Sequence, residues 1–237
     1  MGTYQRILLK LSGEALGGES ANGFDKAAIQ MAAGEIRDVR AAGIELAVVV
    51  GAGNFVRGTE SSSLGIERAT ADYMGMTATL LNALALQSAV EAIGYATRVL
   101  TAIQADQVAE RYIRRRAMRH MEKGRVVILA GGTGNPFCTT DTAAALRAAE
   151  LDCEAILKAT KVDGVYTADP VGNPNAFRYD RISYSQAMRE NLRVMDSTAF
   201  TMCREQGIPI IVYSMKTPGN TIKAATGQAI GTFVGGE

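Results

Sequence analysis

Histidine, cysteine and net charge are scarce in this chain, and each scarcity removes a class of function. His120 is the only histidine among 237 residues. It has Arg119 beside it and no partner in sequence, so it reads as an ordinary helix residue rather than a catalyst. Cys138, Cys153 and Cys203 are odd in number, widely spaced and outside any CxxC or Cys/His pattern. That argues against both a disulfide framework and a zinc site, and for reduced thiols. The 25 basic and 24 acidic residues leave a formal net charge of +1, too little for broad attraction to nucleic acid. The opening MGTYQRILLKLSGEA is interrupted by Lys10 before it reaches the length of a signal-peptide apolar region. Residues 73–90 carry no charge, but Thr77, Thr79, Asn82, Gln87 and Ser88 argue against a membrane span. A cytoplasmic protein with no nucleic-acid or membrane partner is expected. Two nucleotide signatures are also missing. There is no GxxxxGK[ST], and Gly51-Ala52-Gly53 continues to Gly58 instead of completing GxGxxG.

What the chain does have is glycine where apolar strands end. The run GGTGNPFCTTD, residues 131–141, follows the apolar segment 126–130 and precedes a helix-like segment beginning at Thr142. Backbone N–H groups at such a helix N-terminus can hold a phosphate. Gly51-Ala52-Gly53-Asn54 closes the apolar run 46–50, and Lys10-Leu11-Ser12-Gly13 closes 7–9. Such loops at one sheet edge suit two phosphorylated ligands, and hence phosphoryl transfer.

The intervening segments predict an α/β domain. Ile29, Ala33, Ile36 and Val39 recur at helical spacing within residues 24–43, with Gly43 as C-cap. The runs 46–50, 126–130 and 155–158 are continuous rather than alternating, as in parallel strands buried on both faces, and 97–100 and 210–213 read as further strands. Helices are expected at 73–90, 108–123, 185–191, 196–206 and 220–225, with a final strand at 232–234. The uncharged 73–90 helix is either deeply buried or a subunit interface. Arg111, Arg114, Arg115, Arg116 and Arg119 crowd the 108–123 helix, as a solvated face or as a patch for an effector phosphate; like charges so spaced need compensation. Residues 169–180 read as an irregular loop.

Several residues admit two readings. Lys10 is a surface lysine at a strand end, or its ammonium reaches an anion held by the loop amides. Arg57 is a solvated loop arginine or a bidentate phosphate grip. Asp141 is an N-cap, or orients Lys10 or a magnesium-bound water. Lys158, Lys161, Asp163 and Asp169 bracket a turn at 162–166 that is a plain hairpin or a nucleotide pocket with Tyr166 against the base.

Together, KLSGEAL at 10–16, GAGNFVRG at 51–58, ADYMGM at 71–76, GTGNPFCTTD at 132–141 and KATKVDGVYTADP at 158–170 resemble the bacterial uridylate kinases of the amino acid kinase superfamily, in order, spacing and length. The resemblance implies a Rossmann-like αβα sandwich with a mostly parallel central sheet. It also implies a single domain over 1–237, with an N-terminal lobe of about 1–150 for UMP and a C-terminal lobe of about 151–237 for ATP, assembled as a homohexamer of dimers. The implied reaction moves the γ-phosphate of ATP to UMP, with Mg2+ carried mainly by the ATP phosphates. Lys10, Arg57 and Asp141 would be catalytic. Lys10, Leu11, Ser12, Gly13, Gly53 and Arg57 would hold the ATP phosphates, and Thr160, Tyr166 and Asp169 its base and ribose. Ala52, by its backbone, Asp72 at the ribose, and Thr133, Gly134, Asn135, Pro136, Phe137, Cys138, Thr139 and Thr140 would bind UMP. Arg98 and Arg125 match an effector site for GTP as activator, with UTP as inhibitor. Ala52 stands where family members often have glycine. Gln87-Ser88 stand where some have arginine-aspartate, and Arg114 where they have an aromatic.

Overall fold

The computed structural model describes residues 2–56, 65–170, 172–173, 175–192 and 194–236. In chain order these form β1 (Arg6–Leu11), α1 (Lys26–Ala41), β2 (Glu45–Val50), α2 (Arg68–Ala92), β3 (Thr97–Thr101), β4 (Glu110–Arg111), α3 (Arg114–Glu122), β5 (Val126–Ala130) and α4 (Thr140–Glu150). There follow β6 (Ala155–Thr160), β7 (Arg181–Ile182), α5 (Tyr184–Arg189), α6 (Ser197–Gln206), β8 (Ile210–Ser214), α7 (Asn220–Ala225) and β9 (Thr232–Val234). Local chemistry sets several of these boundaries. Asp25 caps α1 by accepting the Ala28 N–H at 2.7 Å, and Thr139 caps α4 by accepting those of Asp141 and Thr142. Gly207, at φ 65°, ends α6 in the left-handed conformation that glycine adopts without strain.

Among the described residues the strands form one sheet in the order β4-β3-β5-β2-β1-β6-β8-β9-β7, parallel except where β8 meets β9. Alternate residues of each central strand enter different cores. Ile7, Leu9, Leu46, Val48 and Ile128 pack with α1, α2 and α7, whereas Leu8, Ala47, Val49 and Leu129 pack with α3, α4 and α6. The result is the expected αβα sandwich. Steps from β1 to β2 and from β2 to β3 go one way along the sheet over the first face. Those from β3 to β5 and from β5 to β6 return over the second, as one handedness of crossover requires. Leu8 is fully buried, and Leu8→Ala is expected to cost about 2–5 kcal/mol.

The expected 108–123 helix is the main correction. Only Arg114–Glu122 is helical, because Glu110 and Arg111 pair in parallel with Leu100 and Thr101 at the sheet edge. The 73–90 helix is longer than expected, running from Arg68 to Ala92. Leu80, Ala83, Leu86 and Val90 are buried, while Tyr73, Met74 and Leu81 are exposed. Lys10 does not follow a strand but lies within β1, and it is only 9 % exposed.

Candidate active site

Because β1, β2, β5 and β6 are parallel neighbours, their C-terminal ends deliver the glycine loops to a single edge, the usual ligand position in open α/β sheets. The first two loops touch. A Cβ on Gly13 would lie 2.6 Å from the Gly53 nitrogen and 2.7 Å from the Gly51 carbonyl oxygen, so only glycine fits there. Gly51 N–H donates to the Leu11 carbonyl at 2.9 Å, which fixes the start of the second loop against Leu11 and Ser12.

Lys10 and Lys158 occupy paired positions on β1 and β6. Asp141, in the first turn of α4, meets both: its Oδ1 lies 2.7 Å from Lys10 Nζ and its Oδ2 accepts from Lys158 Nζ at 2.8 Å. Lys158 also donates to the Val194 carbonyl at 2.6 Å. The close Lys10 contact also favours the ionised carboxylate. Burial works to raise the Asp141 pKa, but the two ammonium groups outweigh it and hold the carboxyl below the usual range. Burial lowers that of Lys158, and Lys10 adds to the effect against the opposing pull of Asp141. Lys161, the other lysine of this stretch, pairs instead with Glu14 at 2.5 Å in a more exposed position. Arg57 lies outside the described residues.

Beside this cluster is a cleft of about 450 Å³, lined by Ala52, Asp72, Thr133, Asn135, Cys138, Thr139 and Thr140 among others. Five of the loop residues expected at UMP thus share one cavity with Ala52 and Asp72. Gly134 and Phe137, at φ 84° and 65°, turn the loop, and Asp72 pins it by accepting the Phe137 N–H at 2.7 Å while pairing with Arg68 at 3.0 Å. Pro136 is half-buried between them and Phe137 is exposed. Thr139 donates to Asp196, the N-cap of α6, and Thr142 donates to the same carboxylate at 3.1 Å. Val56, Met76 and Thr79 also line the cleft.

The residues expected at the ATP base lie on the β6 side. Thr160 Oγ1 donates to the Val162 carbonyl at 2.6 Å, and Tyr166 donates to Asp163 at 2.7 Å, itself paired with Arg178 at 2.9 Å. The Tyr166 backbone bridges to Arg178, so 162–166 is not a self-contained hairpin; Asp169 is exposed.

Arg98 lines a second cleft of about 560 Å³ with Gln87, Asp106, Glu110, Arg111 and Arg116. Acids there supply the compensation that the arginine cluster needs. Arg111 pairs with Asp106 at 2.7 Å, Arg114 with Asp152 at 2.7 Å, Arg116 with Glu110 at 3.7 Å and Arg119 with Glu122 at 3.1 Å. His120 is not partnerless: its Nε2 is 3.2 Å from Glu110 and its Nδ1 3.0 Å from Arg125. Because a guanidinium can only donate, Nδ1 is the accepting atom of the Arg125 contact.

Sequence reasoning left Lys158 undecided between roles and passed over Asn54, Thr79, Asn82 and Asp196. For Lys158 a signal existed, since in sequence it follows an apolar run, 155–157, as Lys10 follows 7–9. The others become visible only once distant segments are packed together.

Residues 5–214 match the amino acid kinase family. The fold is similar to the crystal structure of UMP kinase from Bacillus anthracis, with a TM-score of 0.96 and 38% identity over 98% of this chain and 96% of that one. UMP kinase from Ureaplasma parvum matches at a TM-score of 0.93 and 36% identity, over 98% and 99% of the two chains. Uridylate kinase from Archaeoglobus fulgidus matches at 0.73 and 32% identity, over 96% and 99%. With its loops, its lysine–aspartate cluster and these likenesses taken together, the chain belongs to the amino acid kinase family.

Proposed function

We propose that this protein is a UMP kinase, transferring the γ-phosphate of ATP to UMP to give UDP and ADP in pyrimidine nucleotide biosynthesis. The observation that carries the reading is the cleft, in which residues 132–140 wrap a helix N-terminus that leads directly into Asp141, Lys10 and Lys158. Full-length likeness to UMP kinases at 36% and 38% identity supports it. Ala52 through its backbone, Asp72 at the ribose and the 133–140 loop hold UMP. Leu11, Ser12, Gly13 and Gly53 cradle the ATP phosphates, and Thr160, Tyr166 and Asp169 receive its base and ribose. The N-terminal lobe, about 1–150, serves UMP and the C-terminal lobe, about 151–237, serves ATP, within one domain.

Bringing two polyanions together makes charge neutralisation and in-line alignment the main catalytic task. A phosphate monoester has its second pKa at about 6, so the UMP phosphate is already largely dianionic near neutral pH and needs no general base. His120, engaged with Glu110 and Arg125, is not required. Two ammonium groups sharing one carboxylate leave a net positive, largely buried site, in which Lys10 and Lys158 stabilise charge on the transferred group, with Arg57 adding a third cation. Asp141 keeps both lysines aimed. No cluster of three or more His, Cys, Asp or Glu suited to a metal occurs among the described residues. Magnesium would be carried mainly by the ATP phosphates, with most of its waters retained. When bound, magnesium neutralises phosphate charge and orients the triphosphate.

The enzyme works in the cytoplasm as a homohexamer of dimers, with the exposed Tyr73, Met74 and Leu81 of α2 supporting a dimer contact. GTP as activator and UTP as inhibitor fit the arginine-lined cleft around Arg98 and its link through His120 to Arg125. Burial pushes the Cys153 and Cys203 thiols up to about 12, so they serve as packing groups. The deciding experiment measures ADP formation with UMP, CMP, an acetylated glutamate and carbamate as acceptors, with and without GTP and UTP. UMP is expected to be the preferred acceptor, and turnover with only the carboxylate or carbamate acceptors overturns the reading.

A further inference from the structure

The inner face of α2 carries polar groups that core packing alone does not require. Asn82 is completely buried, Thr79 is 2 % exposed, and both lie among Leu80, Ala83 and Leu86. Spaced three residues apart, they share one side of the helix. Buried polar groups are costly unless hydrogen-bonded, and here the partners are the glycine loops themselves. Asn82 Nδ2 donates to the Gly51 carbonyl at 2.7 Å and to Asn54 Oδ1 at 2.7 Å, while Asn54 Nδ2 donates back to Asn82 Oδ1 at 2.9 Å. Asn54 also reaches the Gly23 carbonyl at 2.7 Å, and Asn54 Oδ1 would meet a Cβ on Gly13 at 2.6 Å. One helical turn earlier, Thr79 Oγ1 accepts the Gly131 N–H at 2.8 Å.

Peptide planarity converts these bonds into directions. In a trans peptide the carbonyl and the following N–H point opposite ways, so Asn82, by holding the Gly51 carbonyl against α2, turns the Ala52 N–H away from the helix. By the same argument Thr79 sets the Ala130–Gly131 peptide, whose carbonyl accepts the Ala102 N–H at 3.0 Å on the other side. Ala52 and Gly132 both line the cleft. We propose that Thr79 and the Asn54–Asn82 amide pair are positioning residues, which set the backbone of the two acceptor-side loops from a single rigid helix. The inference rests on the UMP kinase reading for the identity of the acceptor.

The test compares steady-state kinetics of the full-length wild type, Thr79→Val and Thr79→Ser, with folding checked by circular dichroism. Thr79→Val keeps the shape and removes the acceptor oxygen of the Gly131 bond, whereas Thr79→Ser retains it. The expected result is a rise of about tenfold or more in the KM for UMP with Thr79→Val, through misplacement of the loop. The KM for ATP should stay within about twofold, and Thr79→Ser should return the UMP value to near that of the wild type. If Thr79→Val does not fold, Thr79→Ala carries the same comparison. Unchanged kinetics in the hydroxyl-free variant, or equal effects on both substrates without rescue by serine, overturns the positioning role alone. A wild type that forms no UDP from UMP overturns the functional reading and this inference with it.

Discussion

Lys10 and Lys158 are registered neighbours on adjacent parallel strands, and their ammonium groups converge on one carboxylate, at 2.7 and 2.8 Å from the two oxygens of Asp141. Two cations so close would repel each other in a largely desolvated site. Asp141 offsets that repulsion and still leaves excess positive charge to receive a phosphoryl group. The cluster is thus an electrostatic device as well as a structural one.

Lys10→Ala should remove one preorganised donor from the transition state while leaving the Lys158–Asp141 pair in place. The expected loss is ~2.7 to 4 kcal/mol, or ~100- to 1,000-fold in kcat, with little change in the urea midpoint. A variant within threefold of wild type in a coupled ADP assay sinks the role given to this lysine.

Asp141→Asn should behave differently, because both lysines then lose their shared counter-charge. Leaving two buried ammonium groups without any carboxylate costs about 3–5 kcal/mol, so stability should fall together with turnover. The wild type carries a related pH dependence. Asp141 has its folded pKa below the 3.8 of the free group, so its unfolded form binds the proton more readily. Its contribution is fully present above about pH 4 and is lost as pH falls through the folded value. Urea unfolding between pH 3 and 7 should show a flatter acid limb for Asp141→Asn than for wild type; parallel limbs contradict the assignment.

Asp72 lines the cleft and pins Phe137, so Asp72→Ala should raise the KM for UMP far more than that for ATP. Initial rates with each substrate varied in turn decide it. Equal changes would mean that the two pockets are wrongly assigned.

Leu81 is 48 % exposed on α2, opposite the face that holds the loops. Leu81→Asp should leave the subunit folded and dissociate the oligomer, whereas Arg125→Ala should keep the wild-type mass and blunt the response to GTP. Sedimentation and GTP titration read the two outcomes. A monomeric wild type, or an Arg125→Ala enzyme with a full GTP response, refutes the assembly and effector assignments respectively.

Much of the fold was legible because its signals are local. Continuous apolar runs marked β1, β2, β5, β6 and β8, and glycine marked the turns. The sequence also located the two glycine turns and the 132–141 loop, since strand, glycine and cap lie within a few residues of one another. It missed β4 and β7, two-residue strands with no hydrophobic pattern of their own that exist only because a neighbour presents an edge.

What tertiary structure alone decided is which polar groups meet. Lys158 finds Asp141 across 17 residues, Asn82 finds Asn54 across 28, and Gly131 finds Thr79 across 52. His120 acquires its Glu110 partner only once Glu110 joins the sheet edge. Hydrophobic periodicity specifies which face of an element is buried, and turn chemistry specifies where it ends. Neither encodes the order of strands in the sheet, and that order brings Lys10 beside Lys158 and seats α2 beneath the loops.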